Sequence, residues 1–211
     1  MGLGNFWEAH VVPRLIKCAC ASPQIMKRRA EIVPLARGDV FELGCGGGIN
    51  QPFYDAAAVT SYAGVDPGAK LLDYTRKAAA KRGWVTDIRD GVGEAIPFAD
   101  ESFDSVVCTF TLCSVQDQRQ VVREMRRILR PGGRLLFLEH GRAPDAGVAR
   151  WQRRIEPVWK PIAGGCHLTR PIASAVREGG FAVEPLGEGY APKTPRVLGW
   201  MEWGVAVKAG G

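Results

Sequence analysis

A short apolar run, Val40-Phe41-Glu42-Leu43, breaks into Gly44-Cys45-Gly46-Gly47-Gly48, and a second run, Tyr62 to Val65, ends on Asp66, 22 residues after Gly44. Together these features constrain the fold more than anything else in the chain. A buried strand that runs into glycines lets backbone N–H groups approach a ligand, and an acid closing the next strand can meet a ribose. The layout is that of a nucleoside-binding site in an α/β sheet.

The spacing Gly44-x-Gly46-x-Gly48 differs from the G-x-G-x-x-G turn that sets a helix N-terminus against a pyrophosphate, and the sequence has no G-x-x-x-x-G-K-[ST] run to hold a triphosphate. Glu42, just ahead of the glycines, would repel phosphates but attract the cationic amino end of S-adenosylmethionine. The stretch resembles the first motif of class I S-adenosylmethionine-dependent methyltransferases, [D/E]-x-G-x-G-x-G, with every position met. The resemblance implies cofactor contacts at Glu42, Gly44, Cys45, Gly46 and Gly48, and a ribose contact at Asp66 beside Pro67. Read alone, Asp66 before Pro67-Gly68 is an ordinary turn residue.

Two later stretches are similar to further motifs of the same family. Gly91 to Cys108 matches the adenine-contacting loop and the strand after it, and Leu129-Arg130-Pro131-Gly132-Gly133-Arg134 matches the turn into a fifth strand. Where many relatives carry Asp, this chain has Val92, so Gly93 and Glu94 are the expected substitutes at the adenine, with Cys108 and Thr109 completing the cofactor side.

Strands read at 39–43, 61–65, 84–88, 103–109 and 134–139, with helices near 50–56, 68–81 and 117–129. This alternation predicts a parallel sheet covered on both faces. Two more alternating runs, Phe181 to Leu186 and Met201 to Val207, complete the Rossmann-like α/β sheet of seven mostly parallel strands that the resemblance implies, the last one antiparallel. Ahead of it, Leu3, Phe6, Trp7, Val11 and Leu15 fall at helical spacing with a break at Pro13, which predicts an N-terminal helical cap over residues 1–36 and a methyltransferase domain over 37–211.

At 211 residues, with 46% hydrophobic and 24% charged, the chain can bury the core of one globular domain. Its six Cys include no C-x-x-C pair, so neither zinc nor a redox motif is expected, and reduced thiols point to the cytoplasm. No apolar run reaches the roughly 18 to 20 residues that span a bilayer. The net charge of +6 is dispersed apart from Lys27-Arg28-Arg29 and Arg123-Glu124-Met125-Arg126-Arg127. The second cluster lies on a helix with Val121, Val122, Met125, Ile128 and Leu129 inward, so its arginines are a solvated face and no nucleic-acid partner is expected.

Acceptor-side features are Thr109-Phe110-Thr111-Leu112-Cys113-Ser114-Val115, Glu139-His140, and Gly165-Cys166-His167-Leu168-Thr169-Arg170. With Phe6-Trp7-Glu8 they resemble the small methyltransferase-like group that includes the mammalian microsomal alkyl thiol S-methyltransferases. The resemblance implies a small thiol acceptor, with S-adenosylhomocysteine as the second product. A thiol of pKa about 8.5 needs only about 2 kcal/mol to ionise at pH 7, so no strong base is required. His140, at a strand's carboxyl end, is the candidate to take the thiol proton or hold the thiolate, with Cys166 and His167 orienting the acceptor. Trp7, Phe110, Leu112, Cys113, Trp159 and Arg170 are the expected acceptor-binding residues.

Two rival functions fit the same cofactor half. One is methylation of a lipid head group or a quinone, with Arg14, Lys17, Lys27, Arg28 and Arg29 forming a peripheral membrane surface. The other is a regulatory module that binds the cofactor without turnover.

Overall fold

The computed structural model describes residues 22–208. Trp7, Arg14, Lys17, Cys18, Cys20 and most of the expected cap therefore lie outside the described residues. Helix α1 (Pro23–Ile32) opens with proline at its first position, where the missing N–H costs nothing. There follow β1 (Gly38–Leu43), β2 (Val59–Asp66), α2 (Ala69–Ala80), β3 (Val85–Asp90), β4 (Phe103–Thr109), α3 (Gln118–Ile128), β5 (Leu129–His140), α4 (Ala146–Ile162), α5 (Ile172–Glu178), β6 (Phe181–Tyr190), α6 (Arg196–Gly199) and β7 (Trp200–Lys208).

The seven strands form one sheet in the order β3-β2-β1-β4-β5-β7-β6. Pairing from β3 through β5 is parallel, and β7 runs antiparallel to both β5 and β6. The order reverses at β1/β4, which opens a crevice at the carboxyl ends of these strands, where open α/β sheets take ligands.

Adjacent residues of the central strands divide between two cores. Phe41, Val106, Leu135 and Phe137 pack on one face with Met125 and Val176, while Val40, Val107, Leu136 and Leu138 pack on the other with Ile32 and Trp203. Both faces are covered, which is why these strands read as unbroken apolar runs rather than alternating ones. Helix α3 buries Val121, Val122, Met125 and Ile128 as its spacing predicts, and its N-terminus is capped by Asp117, whose side chain accepts from the Gln120 N–H at 2.9 Å.

Three elements differ from the sequence reading. The helix expected near 50–56 is a single tight turn, Gln51–Phe53, with Pro52 in its middle. Strand β5 begins at Leu129, because Leu129 already pairs with Phe103 and the Pro131-Gly132-Gly133 segment is absorbed as a bulge. Residues 151–170, read without regular elements, lie largely in the long helix α4, and α5 follows from Ile172. Pro157 and Pro161 lie inside α4 and hid it. Among the described residues no helix is long and apolar enough to cross a membrane.

Candidate active site

The glycine turn after β1 needs left-handed backbone at Gly44, Gly46 and Gly48, with φ of 68°, 45° and 70°. A Cβ on Gly44 would stand 2.1 Å from Thr111 Oγ1, whereas one on Gly47 would meet nothing within 4 Å, so the turn is tight beneath and open above. The Gly46 N–H donates to Asp66 Oδ2 at 2.9 Å and the Gly68 N–H to Oδ1 at 2.7 Å. Burial raises the Asp66 pKa, and these two N–H groups hold it back. Each carboxylate oxygen keeps a second lone pair for a ligand. Thr75 of α2 donates to the Cys45 and Gly46 carbonyls and locks the turn from below. Pro67 is exposed beside it.

Glu42 lies beneath this turn and is only 3% exposed. Its Oε1 accepts from Asn50 at 2.9 Å and its Oε2 from Tyr54 and Tyr62 at 2.8 and 2.7 Å. Burial pushes its pKa up, opposed by those three donors and by Arg29. Glu42 is therefore the centre of a buried polar floor; it has no open face for the cofactor's amino group to contact directly. Arg29 extends this floor. From α1 its Nη1 donates to Asn50 Oδ1 at 2.5 Å and to Thr109 Oγ1 at 2.7 Å, and its guanidinium stands 5.3 Å from the Phe110 ring centre. At 3% exposure Arg29 is no part of a membrane-facing basic surface, contrary to the sequence reading. Ile25, Arg29 and Ile32 share one helical face, the spacing that could have shown it.

On the adenine side, Gly93 is packed against Val121 and Leu43, and Glu94 Oε1 accepts from the Gln116 and Asp117 N–H groups at 2.7 and 3.1 Å. Glu94 thus braces the start of α3. Cys108 is wholly buried, with its thiol donating to Glu139, and Thr109 is taken up by Arg29 and Asn50, so neither side chain is open to a cofactor. Cys45 is buried too, which drives its thiol pKa upward.

The acceptor side is organised by Glu139, which the sequence reading left out of the site. It is fully buried and collects the N–H groups of Thr111, Leu112 and Cys113 at 2.9, 3.0 and 3.1 Å. Burial raises its pKa, countered by those N–H groups. Arg170 grips the same loop from outside, donating to the carbonyls of Leu112 and Val115 at 2.7 and 2.5 Å. Arg170 is therefore a brace, and Leu112, at 0% exposure, belongs to the core; neither forms an open acceptor wall. Phe110 holds a left-handed backbone, φ 53°, at the mouth of β4.

Next to this loop the structure brings together His140, Cys113 and Cys166, from three separate segments. His140 Nε2 bonds to the Leu198 carbonyl, which fixes Nε2 as the protonated nitrogen and turns Nδ1 toward Cys166 Sγ, 3.7 Å away. Cys113 comes beside the Cys166 segment through the His167 N–H, which donates to the Cys113 carbonyl at 2.9 Å. Cys113 and His140 together overcome burial and bring the Cys166 pKa down to about 5. Burial opposes charge on His140, but Cys166 and the Leu198 carbonyl outweigh it and raise its pKa. The result is an imidazolium–thiolate pair. The indole N–H of Trp159 is buried beside Cys166 without a hydrogen bond of normal geometry. His167 stands apart: its Nδ1 pairs with Glu156 Oε1 of α4 at 3.0 Å, and Glu156 Oε2 also takes the Thr169 N–H and hydroxyl. It fastens the 164–170 segment to α4.

These donors suit an adenosine cofactor that carries no phosphate. The space over Gly47 is open, Asp66 has lone pairs for ribose hydroxyls, and a phosphate there would face the Asp66 carboxylate. The methyltransferase domain family matches residues 41–137. Rat thiol S-methyltransferase TMT1B is 38% identical over 169 residues, covering 76% of this chain and 68% of the rat protein. Human thiol S-methyltransferase TMT1A is 34% identical over 179 residues, covering 83% and 72%. Among solved structures, the YcgJ protein of Bacillus subtilis superposes with a TM-score of 0.68 at 17% identity, covering 89% of this chain and 97% of YcgJ, a likeness of fold alone. By its matched domain, its glycine turn and its identity to these enzymes, the chain belongs to the class I S-adenosylmethionine-dependent methyltransferases, with the thiol S-methyltransferases among its relatives.

Proposed function

We propose that this chain transfers the methyl group of S-adenosylmethionine to a small thiol, such as hydrogen sulfide, methanethiol or another alkyl thiol. The observation that carries the reading is the His140–Cys166 pair beside the buried Trp159 N–H, a setting already built to hold an anionic sulfur. The names of the thiol S-methyltransferase relatives support it.

The Gly44–Gly48 turn and Asp66 would hold the cofactor, whose sulfonium would supply an electrophilic methyl group. The polar floor of Glu42, Asn50 and Arg29 fixes the turn from beneath. Glu139 and Arg170 set the 111–115 loop that faces the acceptor. His140 and Trp159 stabilise the acceptor as thiolate. With Nε2 committed to Leu198 and Nδ1 facing sulfur, His140 acts by holding negative charge more than by carrying protons away. Thiolate and sulfonium neutralise one another, so excluding water speeds the step.

A second reading draws on the outer face of α4. Trp151, Val158 and Ile162 are 55%, 66% and 44% exposed at positions i, i+7 and i+11, flanked by Arg150, Arg153 and Arg154. Such a stripe suits an anionic bilayer and a lipid or quinone acceptor, and it takes over the docking role first assigned to Arg14, Lys17, Lys27, Arg28 and Arg29. The two readings separate when purified protein and S-adenosylmethionine are given sulfide, methanethiol, a longer alkyl thiol, phosphatidylethanolamine or a demethylated quinone and S-adenosylhomocysteine release is measured. Turnover on sulfur acceptors alone is the expected result. Turnover only on lipid or quinone overturns the thiol assignment.

A further inference from the structure

Among the described residues four free cysteines are present, and they are not alike. Cys45 and Cys108 are buried thiols whose surroundings oppose ionisation. Cys166 is partly exposed and faces His140 Nδ1 at 3.7 Å, while Cys113 is 2% exposed on the neighbouring loop. The His167 N–H donates to the Cys113 carbonyl at 2.9 Å, so the two cysteine-bearing segments meet at this point of the chain. A reachable thiolate backed by a shielded second thiol has the parts of an attacking and a resolving cysteine. A methyltransferase acting on a free thiol does not require the second one.

We infer that Cys166 and Cys113 form a dithiol that reduces small organic disulfides, releasing thiolate at the acceptor site. Cys166 sulfur attacks one sulfur of R–S–S–R, and the S–S bond breaks with its electron pair leaving as RS⁻. Cys166 is left as a mixed disulfide with the other half. Cys113 sulfur then attacks Cys166 sulfur, and the second RS group departs with the Cys113 proton as RSH. The organic disulfide has gained two electrons and the cysteine pair has lost two, becoming an internal disulfide that a dithiol reductant reopens. The inference rests on the thiol reading above only in the place where RS⁻ appears, beside the methyl donor.

The test needs no methyl donor. The full chain is incubated with bis(2-hydroxyethyl) disulfide and followed by intact mass, peptide mapping and released thiol. The parent is expected to release two thiols per chain and to gain a link between the Cys113 and Cys166 peptides, reversed by dithiothreitol. Cys113→Ser is expected to stop at an adduct on Cys166 with one thiol released, and Cys166→Ser to remove both products while circular dichroism shows a folded chain. His140→Gln is expected to slow adduct formation about tenfold or more by withdrawing the thiolate's partner. Labelling confined to other cysteines, or a parent that stalls at the mixed disulfide, overturns the inference. So does oxidation of the pair by hydrogen peroxide without any by the disulfide. Disulfide exchange with no methylation of thiols would overturn the acceptor assignment and leave this one standing; methylation without exchange would do the reverse.

Discussion

His140 is held from both sides, by the Leu198 carbonyl at Nε2 and the Cys166 sulfur at Nδ1. The pair sets a definite pH window. Cys166 has a folded pKa below that of a free thiol, so its charge stabilises the fold fully above the free-thiol range and loses that contribution as pH falls through about 5. His140 has a raised pKa, so its charge stabilises below the unfolded value and is lost as pH rises through the folded one. Both charges are present together between the two. Alkylation of Cys166 by iodoacetamide should therefore begin near pH 5, and an onset above pH 8 would refute the ion pair. At the proposed cofactor site, Asp66→Ala removes the acceptor of the Gly46 and Gly68 N–H groups as well as the proposed ribose contact. Calorimetry should show S-adenosylmethionine affinity falling at least about tenfold, or about 1.4 kcal/mol, with circular dichroism unchanged. Asp66 could be singled out in the sequence because its strand, its turn and its distance from the glycines are all local. Glu139 could not, and Arg29 only by its helical spacing with Ile25 and Ile32. Their roles depend on loops and strands that only the fold brings near, and Arg29 sits in a run of three cations that reads as surface.

The elements that carry these residues differ in how legible they are. The central strands declare themselves by apolar runs, and α3 by its period; α4 is disguised by two prolines, and its hold on the 164–170 segment is a contact between distant parts of the chain. That hold is acid-labile. Burial opposes charge on Glu156, but Thr169 and His167 outweigh it and lower its pKa, so the contact stabilises above the ordinary carboxylate range and fades as pH falls through the lowered value. Hydrogen exchange should show residues 164–170 losing protection in acid before the central strands do. The loop after β4 has its own anchor. Glu139 accepts with both oxygens, so Glu139→Gln sets an amide N–H₂ against a backbone N–H at a cost of about 1 to 3 kcal/mol. The acceptor KM should rise several-fold while cofactor affinity, titrated separately, stays within about twofold. Equal loss of both would show that Glu139 supports the whole site and not the acceptor loop.

For the whole molecule, the sheet separates stability from chemistry. Leu136 is fully buried in the apolar core on the α1 side, so Leu136→Ala should cost about 2 to 5 kcal/mol in urea unfolding and leave cofactor affinity of the folded protein intact. The seven mostly parallel strands with an antiparallel last one were legible as a family pattern; the order in which they lie side by side was not, and in it β6 meets the sheet through β7. That arrangement dictates an order of assembly. Strand β6 precedes β7 in the chain and has no neighbour until β7 pairs with it, and until then Leu135 to Leu138 of β5 present an open, apolar edge. The interval between synthesis of β5 and docking of β7 is thus when the nascent chain is most exposed to misassociation with its own copies, and it ends only when the last strand slides between two older ones.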